Sequence, residues 1–388
     1  MRKSLLVVSS FMACAMLTSC FKDEAPNAEC DILQTFVHVD NPSKVFAQLT
    51  DSVVDVMSSN SDIVFNIKPG ADVSKMAPQF KLTEGASIYP ESGTEFDFSN
   101  DKKVAYTVTS EDKAWTRKYN VSFEIAELPT KFSFENCEIV TEGDIPKYYV
   151  WYDMSPNGKK IYDWATGNAG YKLSAREATP EEYPSVSVDE GNGPENGKFG
   201  KYVKLTTRST GLFGVMAKRR LAAGNLFIGV FDVNKALTNT MLTTRFGLPF
   251  GKKPSRLTGY FKYKPGENFQ DRNGKIVDGK IDRGDIYAVL YRNHDANGEA
   301  MVLNGDDVKT NANIVALAEV NGGNGIEETS DWQRFDAAFD YMADFDEELM
   351  ENNGYSIAIV CTSSTTGASF EGAVGSTLYV DEFEIVCE

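Results

Sequence analysis

Along most of the chain, apolar residues recur at every second position rather than every third or fourth. Val104, Tyr106 and Val108 alternate with small or polar neighbours, and Tyr119, Val121, Phe123 and Ile125 do so again. A period of two puts each set on one face of a half-buried strand. Asp31–Val39 and Ile63–Ile67 read as further strands, the second closed by Pro69-Gly70. Ser110–Arg117 is then a hairpin loop between the two alternating runs. Residues 31–128 carry strands at the spacing of a small immunoglobulin-like β-sandwich. Beyond the joint at Leu128-Pro129-Thr130, residues 129–388 stay β-rich to the end, with strands expected over 201–205, 226–231, 257–263, 285–291, 355–360 and 378–386. One helical turn is expected near Met342–Met350. Many strands with few helices predict a larger β-sandwich, and the jelly roll is the commonest way to build one. The expected fold class is therefore all-β, an immunoglobulin-like β-sandwich followed by a jelly roll.

The first thirty residues break this pattern. Arg2 and Lys3 precede an apolar run, Leu5–Leu17, that is too short to span a bilayer and reads as an export signal. Leu17-Thr18-Ser19-Cys20 resembles a bacterial lipobox, whose cysteine is acylated before cleavage. Residues 1–19 would then leave as a lipoprotein signal peptide, Cys20 would carry the lipid, and 20–30 would be a tether. Lys22-Asp23-Glu24 resembles the lysine-plus-two-acids signal that sends Bacteroidota lipoproteins to the outer face of the outer membrane. No other apolar run is long enough to span, so acyl chains are the expected membrane contact.

Composition narrows the chemistry. Lys and Arg number 39 against 56 Asp and Glu, a formal charge of −17, which argues against nucleic acid as a partner. His38 and His294 are the two histidines, so zinc sites built on several histidines are excluded, and any Ser-His-Asp or Cys-His machinery must use one of these two. His38 falls in the first strand, where packing or the surface explains it. His294 falls in a turn marked by Asn297-Gly298. With Cys14 removed and Cys20 acylated, Cys30, Cys137, Cys361 and Cys387 remain. A Cys137–Cys387 bridge across the ends of the C-terminal region is one reading, and buried free thiols are the simpler one.

Spaced motifs carry two family resemblances. Gly85–Gly93, Val104–Asp112 and Lys118–Val121 together resemble the immunoglobulin-like modules at the start of many Bacteroides surface lipoproteins, which act mostly as spacers. Gly224–Gly229, Gly247–Phe250 with Pro254, Gly259–Gly266, Trp332–Phe335, Ser363-Ser364 and Phe370–Glu382 together resemble the PCMD domain of Bacteroidota lipoproteins, over residues 129–388. One departure is Cys137, which stands where relatives carry a Trp. The resemblance implies a carbohydrate role and brings no catalytic residues with it. Jelly-roll glycan-binding modules often hold Ca²⁺ between a Glu early in the first strand and an Asp in the last. Glu135 and Asp381 stand in those places by resemblance, as a structural calcium pair.

Sugar rings present apolar C–H faces, so binding surfaces set aromatic rings beside amides and carboxylates. The richest local cluster is Tyr148-Tyr149-Val150-Trp151-Tyr152, followed by Tyr162-Asp163-Trp164 and Asn168. Trp151, Trp164 and Asn168 are glycan-binding candidates. Tyr260 and Tyr263 point to opposite faces of one strand by parity, so one of them at most meets a ligand, and Tyr263 is taken as the candidate. Trp332 reads as packed and Trp115 as local structure. Carboxylate pairs that a glycosidase would need are abundant by chance: Asp282 with Asp285, Asp306 with Asp307, Glu327 with Glu328, and the Asp344–Glu348 run. Asp271–Gly274 and Asp295–Glu299 resemble fragments of a calcium loop, but both lack the full oxygen spacing and read as turns. The leading expectation is a surface lipoprotein that binds a glycan through its C-terminal domain as part of carbohydrate acquisition. Two alternatives stand beside it: a glycoside hydrolase or other glycan-cleaving enzyme, and an adhesin or assembly subunit that binds protein.

Overall fold

The computed structural model describes residues 26–388 apart from 47–48, 57–59, 69, 101, 126–127, 155–159, 236–238 and 296. The leader and Cys20 lie outside the described residues. The described residues divide into two compact units, 26–40, 52–65 and 72–123 in the first and 41–51, 66–71 and 124–388 in the second.

The first unit is built on a three-stranded sheet in the order Val53–Asp55, Ile32–Phe36, Gln79–Leu82, and a four-stranded sheet in the order Asp62–Ile67, Thr116–Ile125, Val104–Thr109, Ser87–Tyr89. The alternation seen in the sequence is the pleat: Tyr106, Val108, Tyr119, Val121 and Phe123 are all buried. Phe123 stacks on Phe65 with ring centroids 4.9 Å apart. The phenol of Tyr119 ties in the first strand, donating to Asp31 Oδ1 at 3.0 Å and accepting from the Ile32 amide at 3.2 Å. His38 is exposed, just past that strand.

The second unit is a jelly-roll sandwich of two antiparallel sheets. One runs Trp164–Ala165, Asn225–Phe231, Tyr355–Thr362, Asp285–Arg292, Ile314–Glu319, Asp340–Tyr341; the other runs Ser185–Val188, Tyr202–Thr206, Thr377–Cys387, Pro254–Lys264, Gln333–Ala338. Between them lies the main core, with Leu226, Ile228, Ile286, Leu290, Ile357 and Ile359 from the first sheet and Val203, Leu205, Leu257, Leu378, Val380 and Ile385 from the second. The first sheet is apolar on its other face as well. Phe227, Tyr287, Val289, Tyr291, Ala358 and Val360 form a second cluster there, under the connecting loops. Strands buried on both faces read as continuous apolar runs, which is how Asp285–Arg292 and Tyr355–Thr362 look in the sequence.

The expected helical turn is a short helix, Glu347–Glu351, whose N-cap Asp346 accepts from the Leu349 amide at 3.0 Å. The sequence pattern overlooks a hairpin of Cys137–Glu142 with Ile145–Trp151 and the strand Ile314–Glu319. Cys30, Cys137, Cys361 and Cys387 are all free thiols.

Candidate functional site

The loops over the outer face of the first sheet enclose a cavity of about 620 Å³. Its floor is made of outward side chains from three neighbouring strands: Phe227, Tyr287 and Val360 are buried, and Phe231 and Phe246 continue the apolar wall. The size and lining suit a small organic ligand, apolar in most of its contacts with a few polar groups to orient it.

Among the polar lining residues are Asp285 and Lys309, part of a carboxylate and ammonium cluster. Lys309 Nζ donates to Asp285 Oδ2 and to Glu319 Oε1, each at 2.9 Å, and lies 4.0 Å from the centroid of the Tyr287 ring. Asp285 Oδ1 is buried and has no hydrogen-bond partner. Burial pushes the Asp285 carboxyl above its ordinary range, against the pull of the Lys309 charge. Tyr287, beneath the ammonium, is likewise raised by burial and then by Asp285. A buried carboxyl facing an apolar cavity with one oxygen unsatisfied is the kind of group that marks a functional site.

Asp282, paired with Asp285 in the sequence reading, does different work. Its Oδ2 accepts from Ser364 Oγ at 2.6 Å, Ser376 Oγ at 2.7 Å and the Ala373 amide at 2.7 Å, while Oδ1 accepts from the Arg283 amide at 2.9 Å. Thr207 Oγ1 joins the same network through Ser363 and Ser364, at 2.8 and 2.6 Å. Gly372, with φ 149°, lets the backbone pass this cluster, since a Cβ there would stand 2.7 Å from Ser364 Oγ. The Ser363-Ser364 and Gly-rich motifs therefore build a buried knot at one edge of the cavity.

The four glycan-binding candidates are placed inside the protein. Trp164 packs edge-on to Phe132 and Phe134, each with centroids 5.1 Å away, and Trp151 is buried in the same core. Asn168 is fully buried, clamping Ser185 by donating to its carbonyl at 2.8 Å and accepting from its amide at 3.1 Å. Tyr263 is fully buried with its hydroxyl donating to the Ser363 carbonyl at 3.1 Å. None of these four side chains presents a face to solvent. Tyr260, its parity partner, is the one at the surface, donating to Glu195 Oε1 at 2.6 Å. Of the residues that line the cavity, Asp285 and Asp306 stand among the carboxylate pairs of the sequence and Ser364 in a family motif, whereas Phe231, Phe246 and Tyr287 had no sequence signal beyond strand parity.

Glu135 and Asp381 share an electrostatic environment. Asp381 is fully buried, its Oδ2 has no hydrogen-bond partner, and burial followed by the charges of Glu382 and Glu135 pushes its carboxyl up to about 8. Glu135 Oε1 accepts from the Lys201 amide at 3.0 Å, and the approach requires Gly200 at φ 85°, because a Cβ there would meet that oxygen at 2.6 Å. Hard oxygen donors, one of them orphaned, fit a calcium ion in kind. Among the described residues there is no cluster of three or more His, Cys, Asp or Glu, so backbone carbonyls or water would have to complete the shell. The calcium-loop fragments are turns: Asp271 Oδ1 accepts from the amides of Asn273 and Lys275, and Asp295 Oδ1 from those of Asn297 and Glu299. His294 sits in that second turn. One further carboxylate pair lacked any sequence signal: burial pushes Asp153 up to about 6 and Asp163 up to about 7.

Residues 133–386 match the family described as "Putative carbohydrate metabolism domain", and residues 45–123 match the one described as "SGBP, N-terminal". A solved structure named as a "putative glycoside hydrolase" from Bacteroides thetaiotaomicron VPI-5482 is 39% identical, covering 95% of this chain and 99% of its own with a TM-score of 0.73. A second of the same name, from Bacteroides vulgatus ATCC 8482, is 34% identical, covering 68% of this chain and 99% of its own with a TM-score of 0.59. No curated protein matches the chain.

Proposed function

The chain belongs to the family of the "Putative carbohydrate metabolism domain", and from that premise we propose that it is a lipid-anchored cell-surface protein that binds a glycan in the cavity over the first sheet. The observation that carries this is the combination in one enclosure of aromatic residues, Phe227, Phe231, Phe246 and Tyr287, with Asp285 and Lys309, whose ammonium is also held by Glu319. Rings give sugar C–H faces a surface, and the cluster gives hydroxyls both acceptors and a donor. The N-terminal "SGBP, N-terminal" match supports a surface setting, and the Cys20 lipobox with Lys22-Asp23-Glu24 supports the anchor and its outward direction.

A glycan array probed with the full chain tests this reading. Binding is expected for at least one sugar class, and Phe231→Ala and Asp285→Asn should each weaken it about 10-fold, one polar or stacking contact being worth roughly 1–2 kcal/mol. Retention of full affinity in both variants would move the site elsewhere.

A second reading is favoured by one specific feature: Asp285 and Glu319 each hold one side of the same ammonium, so two carboxyls stand close together, as glycoside hydrolysis demands. The name borne by both similar structures points the same way. Asp285, raised by burial, would donate the proton to the leaving oxygen, and Glu319 would act as nucleophile or base. Reducing-end release from the bound glycan, abolished by Asp285→Asn and by Glu319→Gln, is the outcome that selects hydrolysis over binding alone.

A further inference from the structure

The second sheet presents its own outer face, and the register places a distinct group of residues on it. Lys204 pairs with Tyr379, and Tyr379 pairs with Lys262, on three neighbouring antiparallel strands. Directly opposed residues point to the same face. Their sequence neighbours Val203, Leu205, Leu378, Val380 and Tyr263 point into the core, so this row of Lys, Tyr and Lys points outward. Strands lie about 4.8 Å apart, which sets the two lysine backbones about 10 Å apart with the tyrosine between them. Neither lysine has an ion-pair partner among the described residues.

The row is walled on one side by aromatic rings. Trp332, Tyr202 and Tyr379 form a triangle with centroids 5.3, 6.0 and 6.1 Å apart. The connection from Glu190 to Phe199 is pinned against it: Asn192 accepts from Trp332 Nε1 through its carbonyl at 3.0 Å and from the Tyr202 hydroxyl through Oδ1 at 2.5 Å. What remains open is a groove of about 120 Å³ lined by the two lysines, the three rings, Asn192 and Glu190. It has room for one sugar ring and not for a buried chain. It shares no lining residue with the cavity over the first sheet.

We propose that this groove is a second glycan subsite, selective for a sugar residue that carries an anionic substituent, a carboxylate or a sulfate. The chemistry follows from the pattern. Two ammonium groups on the strands either side of Tyr379, neither of them in an ion pair among the described residues, are both satisfied by one anionic group above the tyrosine. In a chain with a net charge of −17, a groove with two lysines against the single carboxylate of Glu190 is a local cationic excess. Tyr379 and Trp332 supply the ring surface for the pyranose C–H face, and Glu190 and the Asn192 side chain supply partners for its hydroxyls.

Isothermal titration of the full chain with a uronate trisaccharide, a sulfated disaccharide and a neutral trisaccharide tests the assignment. At least one anionic oligosaccharide should bind, at least 10-fold more tightly than the neutral one, that factor being about 1.4 kcal/mol. Lys204→Ala and Lys262→Ala should each weaken that binding about 10-fold, and raising the salt should weaken it further. Tyr379→Phe, which keeps the ring and the fold, should leave it within about 3-fold, while Tyr379→Ala should abolish it. The carboxylate and sulfate arms show which anion fits. Failure of both anionic sugars to bind at millimolar concentration overturns the proposal. So does unchanged affinity in the two lysine variants, and so does binding of inorganic sulfate alone as tightly as the sulfated sugar.

Discussion

Asp381 is buried with Oδ2 facing no donor, and the one bond that favours its ionised form is from the Glu382 amide to Oδ1, at 2.9 Å. Its carboxyl titrates at about 8 in the fold against 3.8 unperturbed. Raised in the fold, it contributes stability that is complete below about 3.8 and is lost as pH rises through about 8. In chelator, therefore, the wild type should lose melting temperature between pH 5 and pH 8, and Asp381→Asn should lose less. Asp153 and Asp163 shift the same way, so the difference between the two proteins isolates Asp381. If Glu135 and Asp381 hold calcium, adding the ion at pH 8 raises the melting temperature of the wild type and not of Asp381→Asn. An equal rise in both proteins would remove these residues as ligands. At this scale the sequence was informative about kind and uninformative about direction. Trp164 and Asn168 stand in an aromatic and amide-rich stretch that reads as a sugar platform. Yet the first belongs to a two-residue strand and the second to a single helical turn, too short for any periodicity to say which way they point. Trp332 reads as packed and in fact rims the groove, because it precedes its strand rather than lying within it.

Elements were legible where alternation had a solvent side. The strands at Val104–Thr109, Thr116–Ile125, Tyr202–Thr206 and Thr377–Cys387 appear where the pattern sets them. Ile314–Glu319 did not stand out, because Ile-Val-Ala-Leu-Ala-Glu has no alternation and ends in good helix formers. It is buried on both faces, and only the sheet around it makes it a strand. Connections were less legible still, since their order depends on contacts distant in sequence. The Asp282 knot is the clearest case: one carboxylate joins residues 207, 283, 363–364, 373 and 376. Asp282→Asn would turn one acceptor oxygen into a donor facing other donors. A cost of about 3 kcal/mol follows from a charged, fully buried acceptor with several bonds, or a fall in melting temperature of roughly 6–12 °C. Asp271→Asn, at an exposed turn, should cost under about 1 kcal/mol. Thermal unfolding of the two variants side by side checks the contrast, and equal losses would mean that the knot contributes no more than a turn.

For the whole molecule, the acid excess bears on the proposed anchor. A chain at −17 gains nothing by electrostatic attraction to a bacterial surface that is itself anionic, and no described helix is long and apolar enough to cross a membrane. In the proposed reading attachment falls to acyl chains on Cys20, where burial of lipid methylenes is worth about 0.8 kcal/mol each and more than one chain is needed for a lasting hold. The charge on the displayed domains does not oppose this, because a Debye length of about 8 Å at physiological salt screens it within a short tether. Two separable outcomes follow. Cys20→Ser should leave the membrane fraction and appear soluble, with loss of metabolic labelling by a palmitate analogue. Replacing Lys22, Asp23 and Glu24 together by Ala should keep label and membrane association but protect the protein from protease added to intact cells, since the address and the anchor are different chemistry. A Cys20→Ser protein still in the membrane fraction would show that something other than lipid holds it. A triple variant still cleaved on intact cells would show that display is decided by residues beyond this tripeptide.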